Sequence, residues 1–170
     1  LATEAVKLSQ PDFVAKIDPE EIKNYSLHGL TSLLAPGGAD LNLYKVAIKR
    51  NPHWARYADA NGNYPLHNII IRRPFRKKDI EVINELTRVY PEAASKRNEE
   101  GQAPIFIALR ERMAWDQGVE ELVKAQPEIL SSTDLETGLY PFLLAASLTG
   151  KVALETTYQL ITAYPHSVKI

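Results

Sequence analysis

Five prolines set the frame of this chain. Pro11, Pro52, Pro91, Pro127 and Pro165 each follow an amphipathic segment, at spacings of 41, 39, 36 and 38 residues. The text around them agrees: Gln10-Pro11-Asp12-Phe13-Val14, Asn51-Pro52-His53-Trp54-Ala55, Tyr90-Pro91-Glu92-Ala93-Ala94, Gln126-Pro127-Glu128-Ile129-Leu130 and Tyr164-Pro165-His166-Ser167-Val168. A second marker lies downstream of each of the first four: Tyr25-Ser26-Leu27-His28, Tyr64-Pro65-Leu66-His67, Ala103-Pro104-Ile105-Phe106 and Tyr140-Pro141-Phe142-Leu143. A glycine precedes three of these, at Gly62, Gly101 and Gly138; the first copy has Lys23 in that phase. Two markers in one register, recurring with a period of about 20–50 residues, signal a stacked array rather than a single closed core.

Each unit reads as a turn, a short helix, a loop and a second helix. Proline suits the first turn of a helix, where its missing N–H costs nothing. Leu66, Ile69 and Ile70 then fall on one helical face, as do Ile105, Ala108 and Leu109, and Phe142, Ala145 and Ala146. The second helices offer Leu43, Val46 and Ala47; Ile83, Leu86 and Tyr90; Val119, Leu122 and Val123; and Leu154, Tyr158 and Ile161. The repeat proline closes each second helix, because the residue before it is pushed out of the α region. An extended stretch of about ten residues is expected to lead to the next turn. The predicted division is a partial repeat over 1–22, then repeats over 23–61, 62–100, 101–137 and 138–170.

Charges are few from Ser131 onward, and the last second helix presents Tyr158, Leu160, Ile161 and Tyr164. Terminal units of arrays need a polar outer face. The expectation is therefore that the C-terminal face is covered by further chain or by another subunit.

Asp59-Ala60-Asn61-Gly62-Asn63-Tyr64-Pro65-Leu66-His67 resembles the turn and T-P-L-H motif of the ankyrin repeat. The resemblance extends over almost the whole chain and is strongest in the second unit. The family threonine is Tyr25, Tyr64, Ala103 and Tyr140 here, and the family histidine, kept at His28 and His67, becomes Phe106 and Leu143. The period is longer than the family's 33 or so. The fold expected from the resemblance is an all-α, ankyrin-like helical-hairpin solenoid with turn fingers between its repeats. It also implies a structural role for His28 and His67, and a concave face of turn tips and first helices that meets other proteins.

Nothing in the sequence points to an enzyme or a cofactor. No Gly-rich phosphate loop and no H-E-x-x-H is present. The chain has no cysteine, which excludes disulfides and thiolate metal sites. Glu20-Glu21, Glu99-Glu100 and Glu120-Glu121 are adjacent pairs, and adjacent residues do not converge on one point. Gly37-Gly38 is a helix breaker between two helical segments. No apolar run reaches the roughly 18 residues that span a bilayer. The net charge of −1 gives no global drive toward nucleic acid. A cytoplasmic or nuclear location is expected.

The predicted function is a non-catalytic scaffold for protein–protein interaction. The turn tips form an acidic rim, with Asp18, Glu20 and Glu21, Asp59 and Asn61, Glu99 and Glu100, and Asp134 and Glu136. First-helix residues expected to face the partner are Asn68, Arg72, Arg110, Leu144 and Ser147. The alternative is a nucleic-acid- or phospholipid-binding module using the loop 72–78, with Arg72, Arg73, Arg76, Lys77 and Lys78 as a basic patch. Trp54 is expected to pack between units and Trp115 to plug the core.

Overall fold

The computed structural model describes residues 48–163 apart from 73, 74 and 76, and with them Lys45. The expectations for residues 1–44, including His28, Gly37-Gly38 and the partial repeat, lie outside the described residues, as do those for Val46, Ala47, Arg73, Arg76, Tyr164 and Pro165. Among the described residues all regular structure is helical and no strand occurs. The chain there is all-α. No described helix is long and apolar enough to cross a membrane.

Three short helices begin alike: α1 (Pro65–Ile71), α3 (Pro104–Arg110) and α5 (Pro141–Ser147). Each has proline in its first turn and an extended N-cap residue, Tyr64, Ala103 or Tyr140, with ψ of 159°, 155° and 156°. The proline accounts for both features. It bars the α region to the residue before it and supplies a helical φ of its own. Seven residues are too few for a stable isolated helix. Packing holds them instead: Leu66, Ile69, Ile70, Ile105, Phe106, Ala108 and Leu109 are fully buried.

The second helices are α2 (Lys77–Val89), α4 (Val119–Ala125) and α6 (Lys151–Ala163). The first two stop one residue short of a proline. Asn51, Tyr90 and Gln126, each just before a repeat proline, share one conformation, with φ of −130°, −147° and −143°. The segment after each proline is not extended, as the sequence predicts, but a five-residue 3₁₀ helix: Pro52–Arg56, Pro91–Ser95 and Pro127–Ser131. The proline φ fits that helix, and an i→i+3 bond starts it, from Trp54 N to Asn51 O, Ala93 N to Tyr90 O and Ile129 N to Gln126 O. This tight turn drives Trp54, Ala55, Ala93, Ala94, Ile129 and Leu130 into the core.

Along the chain α1 packs on α3, α3 on α5, and α2 on α4, so each helix pair covers the next. Ile83, Leu86, Val119, Leu122 and Val123 are buried where periodicity puts them. In α6 the face is different from the predicted one. Leu154, Tyr158 and Ile161 are 74%, 64% and 36% exposed, and Ala153, Thr156 and Leu160 turn inward. Small residues at 153 and 156 let α6 lie close against α5, while the bulkier stripe, equally helical in spacing, points outward. In α5, likewise, Ala145 is buried but Phe142 only partly so, and Ala146 is exposed.

Candidate functional site

The loops between helix pairs end in three tips of one design. Asp59 N donates to Asn63 O at 2.9 Å, Asn98 N to Gln102 O at 3.0 Å, and Asp134 N to Leu139 O at 2.9 Å. The third tip encloses one residue more. Gly62, Gly101 and Gly138 turn each tip at φ of 72°, 76° and 69°, a region that a side chain disfavours. The leading residue also closes the turn with its side chain. Asp59 Oδ1 accepts from the amides of Asn61 and Asn63, Asn98 Oδ1 from that of Gln102, and Asp134 Oδ2 from the amide and hydroxyl of Thr137.

The tips are tied to one another. Glu99 N donates to Asn61 O at 3.0 Å, and Asn98 Nδ2 donates to Asn63 Oδ1 at 2.9 Å. Arg97 reaches Gly101 O with one nitrogen and Thr133 O with the other. The short helices hold the tips from behind. Asn68 Nδ2 donates to Asp59 Oδ2 at 3.1 Å. Arg110 binds both carboxylate oxygens of Asp134, at 2.8 and 2.6 Å, and Glu136 at 2.6 Å. His67 is buried; its Nδ1 accepts from Tyr64 N, so its Nε2 donates to Gln102 O of the next tip.

These contacts set the charge states. Burial is the largest influence on His67 and holds its pKa below 6.5, against the raising effects of Gln102, Lys96 and Asp59. Burial pushes Asp134 up, but the bonds from Thr137 and Arg110 and the Arg110 charge outweigh it, leaving the carboxyl below its ordinary range.

Several predicted surface residues are in fact structural. Arg72 lies inside, with its guanidinium 3.2 Å from the buried Asp79. It joins the end of α1 to the first turn of α2, so it belongs neither to the partner face nor to an exposed basic patch. Leu144 is buried too, on a helix that packs against both α3 and α6. Asp134 is 1% exposed and Asp59 half-buried, their carboxylates engaged in their own turns. The rim is thus narrower than expected. Asn61, Glu99, Glu100, Glu136 and Ser147 are exposed, and Asn68 and Arg110 half-buried. Lys77 and Lys78 are exposed at the start of α2. Trp54 is buried and Trp115 half-buried against the core.

Between the tips and the short helices lies an open cleft of about 420 Å³. Asn61, Asn63, Asn98, Glu100 and Gln102 line it from the tips, and Ile71, Ile107, Arg110 and Glu111 from α1, α3 and the residue after it. It brings together three of the predicted residues, Asn61, Glu100 and Arg110. The other six, Asn63, Asn98, Gln102, Ile71, Ile107 and Glu111, are not among the predicted site residues. The signal for Asn63 and Gln102 is their place after the turn glycine; Ile71 and Ile107 fall off the apolar faces of Leu66, Ile69 and Ile70 and of Ile105, Ala108 and Leu109, and the spacing assigns them no role. Among the described residues no group of three His, Asp or Glu is placed to hold a metal ion. Comparison with protein-family models, with curated proteins and with solved structures finds no match for the chain.

Proposed function

We propose that the chain is a divergent ankyrin-like solenoid and works as a non-catalytic scaffold that holds another protein in the cleft between its tips and short helices. The cleft carries this reading. It mixes apolar side chains, Ile71 and Ile107, with amides and charges that suit a polypeptide partner. Ile71 is 44% exposed there, a large apolar side chain beside polar tips. The tip-to-tip bonds also support it, because they hold the cleft walls in a fixed shape before any partner arrives. Solenoids use such continuous surfaces for recognition.

A photo-crosslinking side chain at position 71, with the same side chain at 124 as control, tests the proposal in cells of the native source. One protein should crosslink reproducibly from 71 and not from 124. Equal labelling from both positions would remove the cleft as the partner surface.

A further inference from the structure

A second pocket, of about 270 Å³, lies away from the cleft, between the end of α3 and the start of α6. Its floor is apolar: Leu109, Met113, Ala145 and Ala153 are all buried. Three polar features converge on it. The first is the N-terminus of α6. The first bond of that helix runs from Leu154 N to Gly150 O, so the amides of Lys151, Val152 and Ala153 make no bond within the helix, and these residues line the pocket. The second is Thr156, which lines the pocket and is 2% exposed; its hydroxyl oxygen is closed off from solvent in the pocket wall and has no hydrogen-bond partner. Its neighbours Thr157 and Thr162 bond carbonyls of their own helix instead. The third is the pair of cations at the mouth, Arg112 and Lys151.

Arg112 is held there at a cost. Its φ is +56°, the one positive φ of a non-glycine residue among those described. Such a position after a helix usually takes glycine. Strained backbone of this kind concentrates where function requires a particular side chain. No carboxylate lines this pocket; Asp116 and Glu155 line the neighbouring recess against Trp115.

We propose that this pocket binds a small amphipathic carboxylic acid, with its apolar body on Leu109, Met113 and Ala153 and its carboxylate at the α6 N-terminus between Arg112 and Lys151. Helix N-termini and paired cations favour an anion, and the apolar floor favours hydrocarbon. A cavity of about 150 Å³ holds benzene, so this one has room for a ring or a short chain carrying a carboxylate.

The test is a two-dimensional amide NMR titration of the full chain with sodium hexanoate and sodium benzoate, and with hexanol and hexylamine as comparisons. The carboxylates should give saturable shifts at Gly150, Lys151, Val152, Ala153 and Thr156, and hexanol should bind at least about fivefold more weakly. Lys151→Glu, on an exposed side chain that folding does not need, should weaken hexanoate about tenfold. No saturable shifts, equal binding of hexylamine or hexanol, or affinity unchanged in Lys151→Glu would each overturn the proposal.

Discussion

Asn98 Nδ2 donates to Asn63 Oδ1 at 2.9 Å across 35 residues of sequence, with both side chains buried. Asn98 Oδ1 at the same time closes its own turn through Gln102 N. One amide therefore shapes a tip and ties it to the tip before. Replacing Asn98 with Ala should cost about 1–3 kcal/mol, because it strips a buried partner from Asn63 and from the turn. A double-mutant cycle with Asn63→Ala in urea denaturation should give a coupling of about 0.5 kcal/mol or more. Strict additivity would mean that the tips are not tied through this bond.

The three turn glycines share one φ but not one neighbourhood. A Cβ on Gly62 would sit 2.8 Å from Glu99 N, a backbone atom of the next tip; a Cβ on Gly138 would meet nothing within 4 Å. Gly138→Val should cost about 1–2 kcal/mol from the backbone conformation alone, and Gly62→Val clearly more, since the next tip must also move. Denaturation midpoints of the two variants check the order. Equal losses would show that the tips are not packed as described.

Arg72, in the loop where the sequence suggests a basic patch, forms a buried pair with Asp79 in the first turn of α2. Asp79→Ala should cost about 3–5 kcal/mol, because it leaves a guanidinium charge buried without its partner. Lys77→Ala and Lys78→Ala, on exposed side chains, should stay within about 0.5 kcal/mol of the parent. Thermal unfolding of the three variants separates structural from surface cations in this loop.

His67 and Asp134 make stability depend on acidity in two windows. The His67 pKa is lowered on folding, so the unfolded chain binds more protons just below pH 6.5, and stability falls as pH drops from 6.5 toward the folded value. The folded Asp134 pKa is also depressed; its contribution is present above the ordinary carboxylate range and is lost as pH falls through the folded value. His67→Phe should flatten the upper window and cost about 1–3 kcal/mol by taking the side-chain acceptor from Tyr64 N and one of two donors from Gln102 O. Asp134→Asn should flatten the lower one. Urea midpoints measured from pH 8 down to pH 3 test both slopes.

What was legible in the sequence was local. The prolines dictate the extended N-caps at Tyr64, Ala103 and Tyr140, and the glycines dictate the turns at 62, 101 and 138, because each effect acts within a residue or two. The structural role of His67 was legible only through its resemblance to a known motif. What escaped depends on where the next helix pair lies. Leu144 and Ile71 both sit on short helices, yet one is covered and the other open. Nothing in the spacing of α6 distinguishes the stripe of Ala153, Thr156 and Leu160 from that of Leu154, Tyr158 and Ile161; contact with α5 decides it. Arg72 carries the same charge as Lys77 and Lys78, and only Asp79, seven residues on, draws it inside.

The scaffold account rests on the cleft, and Ile71 is its most exposed apolar wall. The decisive measurement is the affinity of the protein crosslinked from position 71, determined by isothermal calorimetry with the parent chain, with Ile71→Asp and with Lys124→Asp. The account predicts binding about tenfold or more weaker for Ile71→Asp, with an unchanged melting temperature, and no change for Lys124→Asp. Equal affinity for the parent and Ile71→Asp would contradict it.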